Sequence, residues 1–218
     1  MNKLKTKYKN LVQSKSKVNY FLLPYLPYTN RYTPLTKTMM DIEKLKFPIG
    51  KYIPNKAPDE PLLPQWIEDI ENFPARVEQL VNEISNEKLN WKYRPNGWSV
   101  KQVIHHCVDS HMNSIIRFKL ALTEDTPTIR PYYEDKWANL HDSLTDEINE
   151  SLILLKGLHK KWTRLLKGLE KEQLELEFIH PEHRLKFNIA ENIGNYAWHC
   201  NHHLAHIEIG LNSMGKYN

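Results

Sequence analysis

Histidines carry the strongest chemical signal in this sequence. Eleven are present among 218 residues, and seven of them lie in two short windows, residues 105–111 and residues 199–206. Neutral imidazole nitrogens are good ligands for Zn²⁺ and Ni²⁺. One interpretation is therefore a divalent-metal site built from two segments of the chain. The alternative interpretation is a set of core histidines that only make hydrogen bonds.

The later window contains two pairs of histidines spaced four residues apart. Residues at this spacing lie one turn apart on the same helix face, so His199 and His203 can direct ring nitrogens at one ion. His202 and His206 form a second pair, rotated from the first by about 60°. The apolar stripe of the segment favours the first pair, which lies beside Tyr196 at its inner edge. His202 lies further out, and His206 stays on the side of the first pair.

A third ligand must come from the earlier window, because a catalytic zinc site usually has three protein ligands and one open position. The candidates there are His105, His106, Asp109 and His111. His106 and Asp109 are three residues apart and share a helix face, from which His105 is rotated away. The sequence contains no HExxH motif, which excludes the usual zincin arrangement. Spacing alone leaves the metal site and the hydrogen-bonded core equally open.

Four amphipathic helices are predicted to position these windows, because apolar residues recur at helical spacing in four segments. The predicted helices cover residues 63–84, 99–124, 146–169 and 188–214. Pro74 is expected to kink or divide the first of them. Ser99 with Gln102, and Asn188 with Glu191, are N-capping patterns for the second and the fourth. The bundle would thus carry one histidine window on its second helix and the other on its fourth.

A long connection rich in proline and aromatic residues separates the second and third predicted helices, at residues 125–143. Connections of this length usually cross a bundle end or cover a site. Tyr132, Tyr133 and Trp137 are therefore interpreted either as a pocket wall or as packing at the bundle end or a dimer contact. Before the last helix, residues 170–187 are expected to be irregular, with a short turn or strand. Four amphipathic helices and one long crossover predict an all-α four-helix bundle.

The net charge of +4 divides unevenly along the chain. Residues 1–40 contain eight basic and no acidic residues, whereas residues 41–218 contain 22 basic and 26 acidic residues. We interpret residues 1–40 as a disordered extension or a misassigned start, and residues 41–218 as the folded domain. A nucleic-acid-binding arm is the alternative for the extension, but the acidic body gives no reason to expect nucleic-acid binding by the fold.

The cellular compartment is predicted from cysteine content and hydropathy. Two cysteines exclude a disulfide scaffold and fit a reducing compartment, so we expect a cytoplasmic protein. No run of 18 apolar residues is present, and we therefore expect no membrane partner. Cys107 and Cys200 each follow a candidate ligand, but adjacent helix positions diverge by about 100°, which favours core packing for both thiols.

Three motifs in this chain resemble the DinB superfamily, specifically its YfiT-like metal-dependent hydrolases. The motifs are FPIGKY at residues 47–52, PNGWSVKQVIHHCVDSHMNSIIRFKLALTEDTPTIRPYYEDKW at residues 95–137 and AWHCNHHLAHI at residues 197–207. The resemblance covers about residues 46–215 in order and with close spacing. It does not extend to residues 1–40, in agreement with their interpretation as an extension.

The resemblance implies a four-helix bundle, often a homodimer, with one divalent metal held by His106, His199 and His203. Zn²⁺ is the expected ion, with Ni²⁺ as the alternative. The implied activity is hydrolysis of a small-molecule substrate, and the alternative is transfer of a low-molecular-weight thiol such as bacillithiol to an electrophile. A bundle that binds metal without catalysis is the third interpretation. Asp109 is a candidate for orienting a ligand or accepting a proton, or else an ordinary polar helix position.

Overall fold

The computed structural model describes residues 41–59, 61–182 and 185–218 of the chain. The interpretation of residues 1–40 as an extension therefore falls outside the described residues and stays a prediction. The described elements begin with a helical stretch, α1, at residues 41–46. They continue with α2 (Leu62–Val81), α3 (Asn86–Leu89), α4 (Val100–Thr123), α5 (Glu134–Trp137), α6 (His141–Leu144), α7 (Asn149–Lys167), a 3₁₀ helix (Lys171–Glu175), β1 (Glu177–His180), β2 (Leu185–Asn188) and α8 (Ile189–Asn212).

The four long helices α2, α4, α7 and α8 form a closed bundle. Helix α8 packs on α2 and α4, and α7 packs on the same two helices, so each long helix has two neighbours. The predicted four-helix bundle is confirmed. The segment predicted to be irregular contains an antiparallel hairpin of β1 and β2, in which Phe178 faces Phe187.

Both predicted capping patterns fix the start of a histidine-bearing helix. At α4, the Ser99 backbone N–H donates to Gln102 Oε1 at 3.0 Å, and the Gln102 N–H donates back to Ser99 Oγ at 3.4 Å. At α8, the Glu191 N–H donates to Asn188 Oδ1 at 2.7 Å. Such caps satisfy N–H groups that have no partner within the helix, and each typically contributes about 1 kcal/mol.

Helix α2 continues through Pro74, so the expected division of this helix is wrong and only the expected kink stays a prediction. Proline lacks an N–H and therefore leaves the carbonyl four residues earlier, that of Ile70, without its helical donor. In this structure His159 Nδ1 lies 2.6 Å from that carbonyl and replaces the missing bond. Pro74 is itself buried in the bundle, so tertiary packing holds the helix together across it.

The long connection between α4 and α7 is partly ordered by two short helices, α5 and α6. Its first part is tied to the hairpin, because the Ile129 N–H donates to the Ile179 carbonyl at 3.0 Å and the Ile179 N–H donates to the Pro127 carbonyl at 2.9 Å. Ile129 is buried at this junction. The connection then returns along α4 toward the N-terminus of that helix, where Gln102 Nε2–H donates to the Ala138 carbonyl at 2.8 Å.

The bundle core is apolar at its centre, with Phe73, Phe118 and Trp162 fully buried. Two histidines, His111 and His159, are equally buried among these rings. Full burial of these two imidazoles requires hydrogen-bond partners inside the core, because an unpaired buried polar group costs free energy.

No helix within the described residues is long and apolar enough to cross a bilayer.

Close contact at a glycine sets the distance between α8 and α4. A Cβ atom added at Gly210 would lie 2.7 Å from Val100 Cγ2, and Val100 is buried with a stiff, branched side chain. We expect Gly210→Ala to lower the free energy of unfolding by about 1–3 kcal/mol through overpacking. Chemical denaturation monitored by circular dichroism measures this change.

Gly157→Ala is the matched control, because this exposed position on α7 has no atom within 4 Å of an added Cβ. There the gain in helix propensity should raise the free energy of unfolding by about 0.5–1 kcal/mol. Equal stabilisation by both substitutions would contradict the close packing of α8 on α4.

Candidate metal centre

Three histidines from two helices converge between α4 and α8. His106 on α4 and His199 and His203 on α8 each offer a ring nitrogen, and these atoms lie within 4.8 Å of one another. The ring centroids are 5.4 Å apart for His106 and His199, 4.8 Å for His106 and His203, and 4.3 Å for the pair on α8. The structure thus brings together the three residues implied by the family resemblance. Their role as metal ligands stays a prediction.

Burial keeps these imidazoles uncharged. His106 is 3% exposed and His203 is 7% exposed, whereas His199 is partly exposed at the edge of the group. Burial, and secondarily the charge of His202, lowers the pKa of His106 to about 4. The pKa values of His199 and His203 are held well below the ordinary value by burial, followed by the neighbouring histidines. Neutral imidazoles have a free lone pair, so this donor set fits a Zn²⁺ or Ni²⁺ ion.

The adjacent residue His105 faces away from the group, as the helical period requires. Its Nε2–H donates to the Thr145 carbonyl at 3.3 Å, and its Nδ1 lies 2.8 Å from Ser151 Oγ and accepts from that hydroxyl. His105 therefore holds α4 against α7 and the segment that precedes it. The adjacent residues His105 and His106 therefore have different environments. His105 connects parts of the bundle, and His106 lies in the candidate site.

His111 lies behind the group rather than in it. Its Nε2 is 3.0 Å from His199 Nδ1, and its Nδ1 is 2.8 Å from His159 Nε2. His111 is one of the candidates for the third ligand by sequence, and the structure places it against a candidate ligand instead. His159 was missed altogether. Its only signal in the sequence was a polar residue on the apolar face of α7, between Leu155 and Trp162.

A second histidine group shares His203 with the first. His202, His203 and His206 have ring nitrogens within 4.8 Å of one another, and all three are buried. His206 Nε2 lies 3.2 Å from the carbonyls of Leu45 and Lys46, and the two Nδ1 atoms of His206 and His203 are 3.4 Å apart. The second HxxxH pair predicted from spacing is thus close to the first in space.

Hydroxyl groups lie beside the partly exposed edge of the candidate site. Ser110 Oγ is 3.4 Å from His199 Nε2 and 3.5 Å from Tyr196 OH. Tyr132, from the long connection, lies beside Ser110, and burial raises its pKa. Tyr133 is 68% exposed and does not share this position. The Trp137 ring packs on that of Tyr132, with centroids 4.7 Å apart, and both interpretations of the connection stay predictions.

Asp109 is half-buried on α4 and belongs to neither histidine group. Burial, and secondarily the charge of Asp142, raises the pKa of its carboxyl to about 6. Within the described residues its carboxylate makes no hydrogen bond to a candidate ligand, and its proposed role stays a prediction.

Cys107 and Cys200 are free and fully buried, and burial raises the pKa of both thiols. Neither thiol belongs to a histidine group.

Comparison with known proteins gives consistent matches. The DinB superfamily model matches residues 69–207, which include all three converging histidines. A Bacillus cereus (strain 03BB102) protein named "Putative metal-dependent hydrolase" is 48% identical over 163 residues, covering 75% of this chain and 93% of that protein. A Bacillus anthracis (strain A0248) protein of the same name is 47% identical with the same coverage.

One solved structure is similar over nearly its whole length. It is YfiT from Bacillus subtilis, described as "a probable metal-dependent hydrolase with an unusual four-helix bundle topology". The TM-score is 0.76 at 44% sequence identity, and the match covers 79% of this chain and 98% of that chain. This likeness agrees with the resemblance found in the sequence motifs.

The buried neutral histidines make stability depend on pH. In the unfolded chain an imidazole takes up a proton below about pH 6.5, whereas His106, His159 and His202 stay neutral in the fold down to about pH 4. The unfolded state therefore binds more protons in this window, and stability falls as the pH falls. Each such histidine contributes a slope of about 1.4 kcal/mol per pH unit.

We expect the free energy of unfolding of the metal-free protein to decrease steeply from pH 6.5 to pH 4.5. Urea denaturation at several pH values measures this dependence. His141→Gln, at an exposed position, is the control and should leave the slope unchanged. A flat profile over this range would contradict the burial of neutral imidazoles.

Proposed function

The chain belongs to the DinB superfamily, and on that premise we propose that it is a metal-dependent hydrolase acting on a small molecule at His106, His199 and His203. The observation that supports this proposal is the convergence of three uncharged imidazoles from two helices, with ligand atoms within 4.8 Å. The relatives named as metal-dependent hydrolases and the YfiT structure support the same function.

We propose Zn²⁺ as the ion, with Ni²⁺ as the alternative, because three imidazole nitrogens are a common donor set for a catalytic zinc with an open position. Such an ion would lower the pKa of a ligated water to about 7 or stabilise a thiolate. His199, as the partly exposed member of the group, marks the side from which a substrate would enter.

The residues around this edge suit the binding of a polar substrate group. Ser110 and Tyr196 place two hydroxyls next to His199, and Tyr132 closes the same side from the long connection. Hydroxyls can both donate and accept hydrogen bonds, so they can orient a carbonyl or a leaving group. Asp109, whose carboxyl has a pKa of about 6, is suited to accept a proton near neutral pH.

Thiol transfer is the alternative activity, since the same three neutral ligands would serve a bound thiolate. Assays on a panel of ester and amide substrates, with and without a low-molecular-weight thiol, separate the two. Cleavage without thiol supports the hydrolase. Turnover only with thiol supports the transferase, and no turnover in the fully metal-loaded protein supports a binding role. The homodimer and the cytoplasmic location stay predictions.

His106→Ala tests the metal site. We expect the bound metal to fall from about one ion per chain to a trace. Loss of a hydrogen-bond partner behind a ligand typically lowers metal affinity about 10–100-fold, and loss of the ligand itself should lower it further. Elemental analysis after dialysis measures the content. His105→Asn is the matched control on the neighbouring residue, and it should keep about one ion because His105 faces Ser151 and Thr145. Full metal content in His106→Ala would refute the site.

Asp109→Asn tests the proton acceptor. We expect kcat to fall by about 10²–10⁴-fold with the metal content unchanged. Asp142→Asn is the companion variant. It removes a negative charge that raises the Asp109 pKa, so the acidic limb of the kcat/KM profile should move to lower pH. The shift should be small because burial is the larger cause. Wild-type activity in Asp109→Asn would assign this residue a structural role.

A further inference from the structure

A chain of hydrogen bonds runs from the candidate metal site through the core to the backbone of α2. His199 Nδ1 is 3.0 Å from His111 Nε2, His111 Nδ1 is 2.8 Å from His159 Nε2, and His159 Nδ1 is 2.6 Å from the Ile70 carbonyl oxygen. The chain crosses all four long helices, from α8 through α4 and α7 to α2. His111 is fully buried and His159 is 1% exposed, so the chain is shielded from water.

The Ile70 carbonyl at the end of this hydrogen-bond chain fixes the direction of every hydrogen bond in it. A carbonyl oxygen can only accept, so His159 Nδ1 must carry a proton, and in the neutral ring Nε2 is then the acceptor. His111 must therefore donate from Nδ1, which leaves its Nε2 to accept from His199 Nδ1–H. By the same rule the proton of His199 resides on Nδ1. Its Nε2 keeps the lone pair, which faces the Ser110 hydroxyl at 3.4 Å and can accept from it in the metal-free protein.

Pro74 explains why this carbonyl is available. Within α2 the Ile70 carbonyl would ordinarily accept from the N–H of residue 74, which proline lacks. The resulting unpaired oxygen would be costly in a buried helix, and the His159 N–H satisfies it. Pro74 thus leaves the Ile70 carbonyl without a helical donor, and His159 supplies the donor as the last histidine of the hydrogen-bond chain.

A shorter chain fixes His203 in the same way. His206 Nε2 lies 3.2 Å from the carbonyls of Leu45 and Lys46, and it must donate to them. His206 Nδ1 is then an acceptor, and the His203 Nδ1 atom 3.4 Å away supplies the proton. His203 is likewise left with a free lone pair on Nε2.

We infer that His111, His159 and His206 are positioning residues that hold His199 and His203 as Nδ1–H tautomers, each with an unprotonated Nε2 for the ion. The inference rests on the proposed metal site and specifies which nitrogen of each α8 ligand binds. It also assigns His206 to the support of His203 rather than to a separate metal centre with His202. Partners of this kind orient a ligand ring and strengthen its basicity.

The tautomers can be observed without any metal. Long-range proton–nitrogen correlation spectra of metal-free protein with ¹⁵N-labelled histidine should show protonated Nδ1 and bare Nε2 for both His199 and His203. Substitution of each residue assigns its signals. A proton on Nε2 of His199 or of His203 would overturn the inference. Absence of zinc binding by the wild-type protein would instead refute the proposed function, so the two failures are distinguishable.

Zinc affinity tests the longer chain. His111→Phe keeps a buried ring but removes both hydrogen bonds, and we expect the Kd for Zn²⁺, measured by competition with a chromophoric chelator, to rise about 10–100-fold. His105→Phe is the matched control on the same helix and should keep the wild-type Kd. Circular dichroism confirms that both variants are folded. A wild-type Kd in folded His111→Phe would overturn the inference.

Rescue by a conservative side chain separates positioning from packing. His159→Gln retains a donor and an acceptor, whereas His159→Phe retains only the ring. We expect the zinc Kd of the Gln variant to lie closer to wild type than that of the Phe variant, and the opposite order would count against the chain. If neither variant folds, the wild-type tautomer spectrum still decides.

The shorter chain has its own test. We expect His206→Phe to weaken zinc binding about 10–100-fold and His202→Ala to leave it unchanged. Loss of zinc in His202→Ala as complete as in His106→Ala would place the ion in the second histidine group and overturn the assignment of His206.

Discussion

Hydrogen bonds made by buried neutral imidazoles connect the four long helices, and the segment before α2, to the candidate site. Each ring brings one donor and one acceptor into the core, and leaving either unpaired costs about 1–3 kcal/mol. The partners come from every side of the bundle: the carbonyl of Ile70 for His159, that of Thr145 for His105, and those of Leu45 and Lys46 for His206. The positions of the helices and of the segment before α2 are thus coupled to the candidate site.

This coupling depends on exact helix placement. Helices α4 and α8 begin at capped residues, which fixes where each histidine-bearing helix starts. Gly194 and Gly210 allow α8 to contact Trp66 on α2 and Val100 on α4 closely. Protein cores are close-packed and do not shift easily, which helps the hydrogen bonds between helices to keep their lengths. The candidate metal centre is therefore held by the whole bundle and not by its two ligand helices alone.

The sequence predicted the parts of this arrangement that depend on local period and spacing. The four helices, the two caps and the shared face of His199 and His203 follow from patterns within a few residues. The selection of His106 came from the family resemblance, because spacing left His111 and Asp109 open. His159 was missed because a single polar residue on an apolar face has no distinctive spacing. The partnership of Pro74 and His159 joins residues 85 positions apart, and no local pattern contains that information.

Residues before α2 support the candidate site although they lie outside the segment that the family model matches. Besides the carbonyls that accept from His206, the Gly50 carbonyl accepts from Trp198 Nε1 at 3.1 Å, and Tyr52 OH donates to the Glu191 carbonyl at 2.7 Å. All of these contacts are made to α8, whereas the family match begins at residue 69. A fragment cut at the boundaries of that match would keep all three converging histidines yet lose the acceptors behind one of them. The boundary of the family-model match and the boundary of the folded site are thus different.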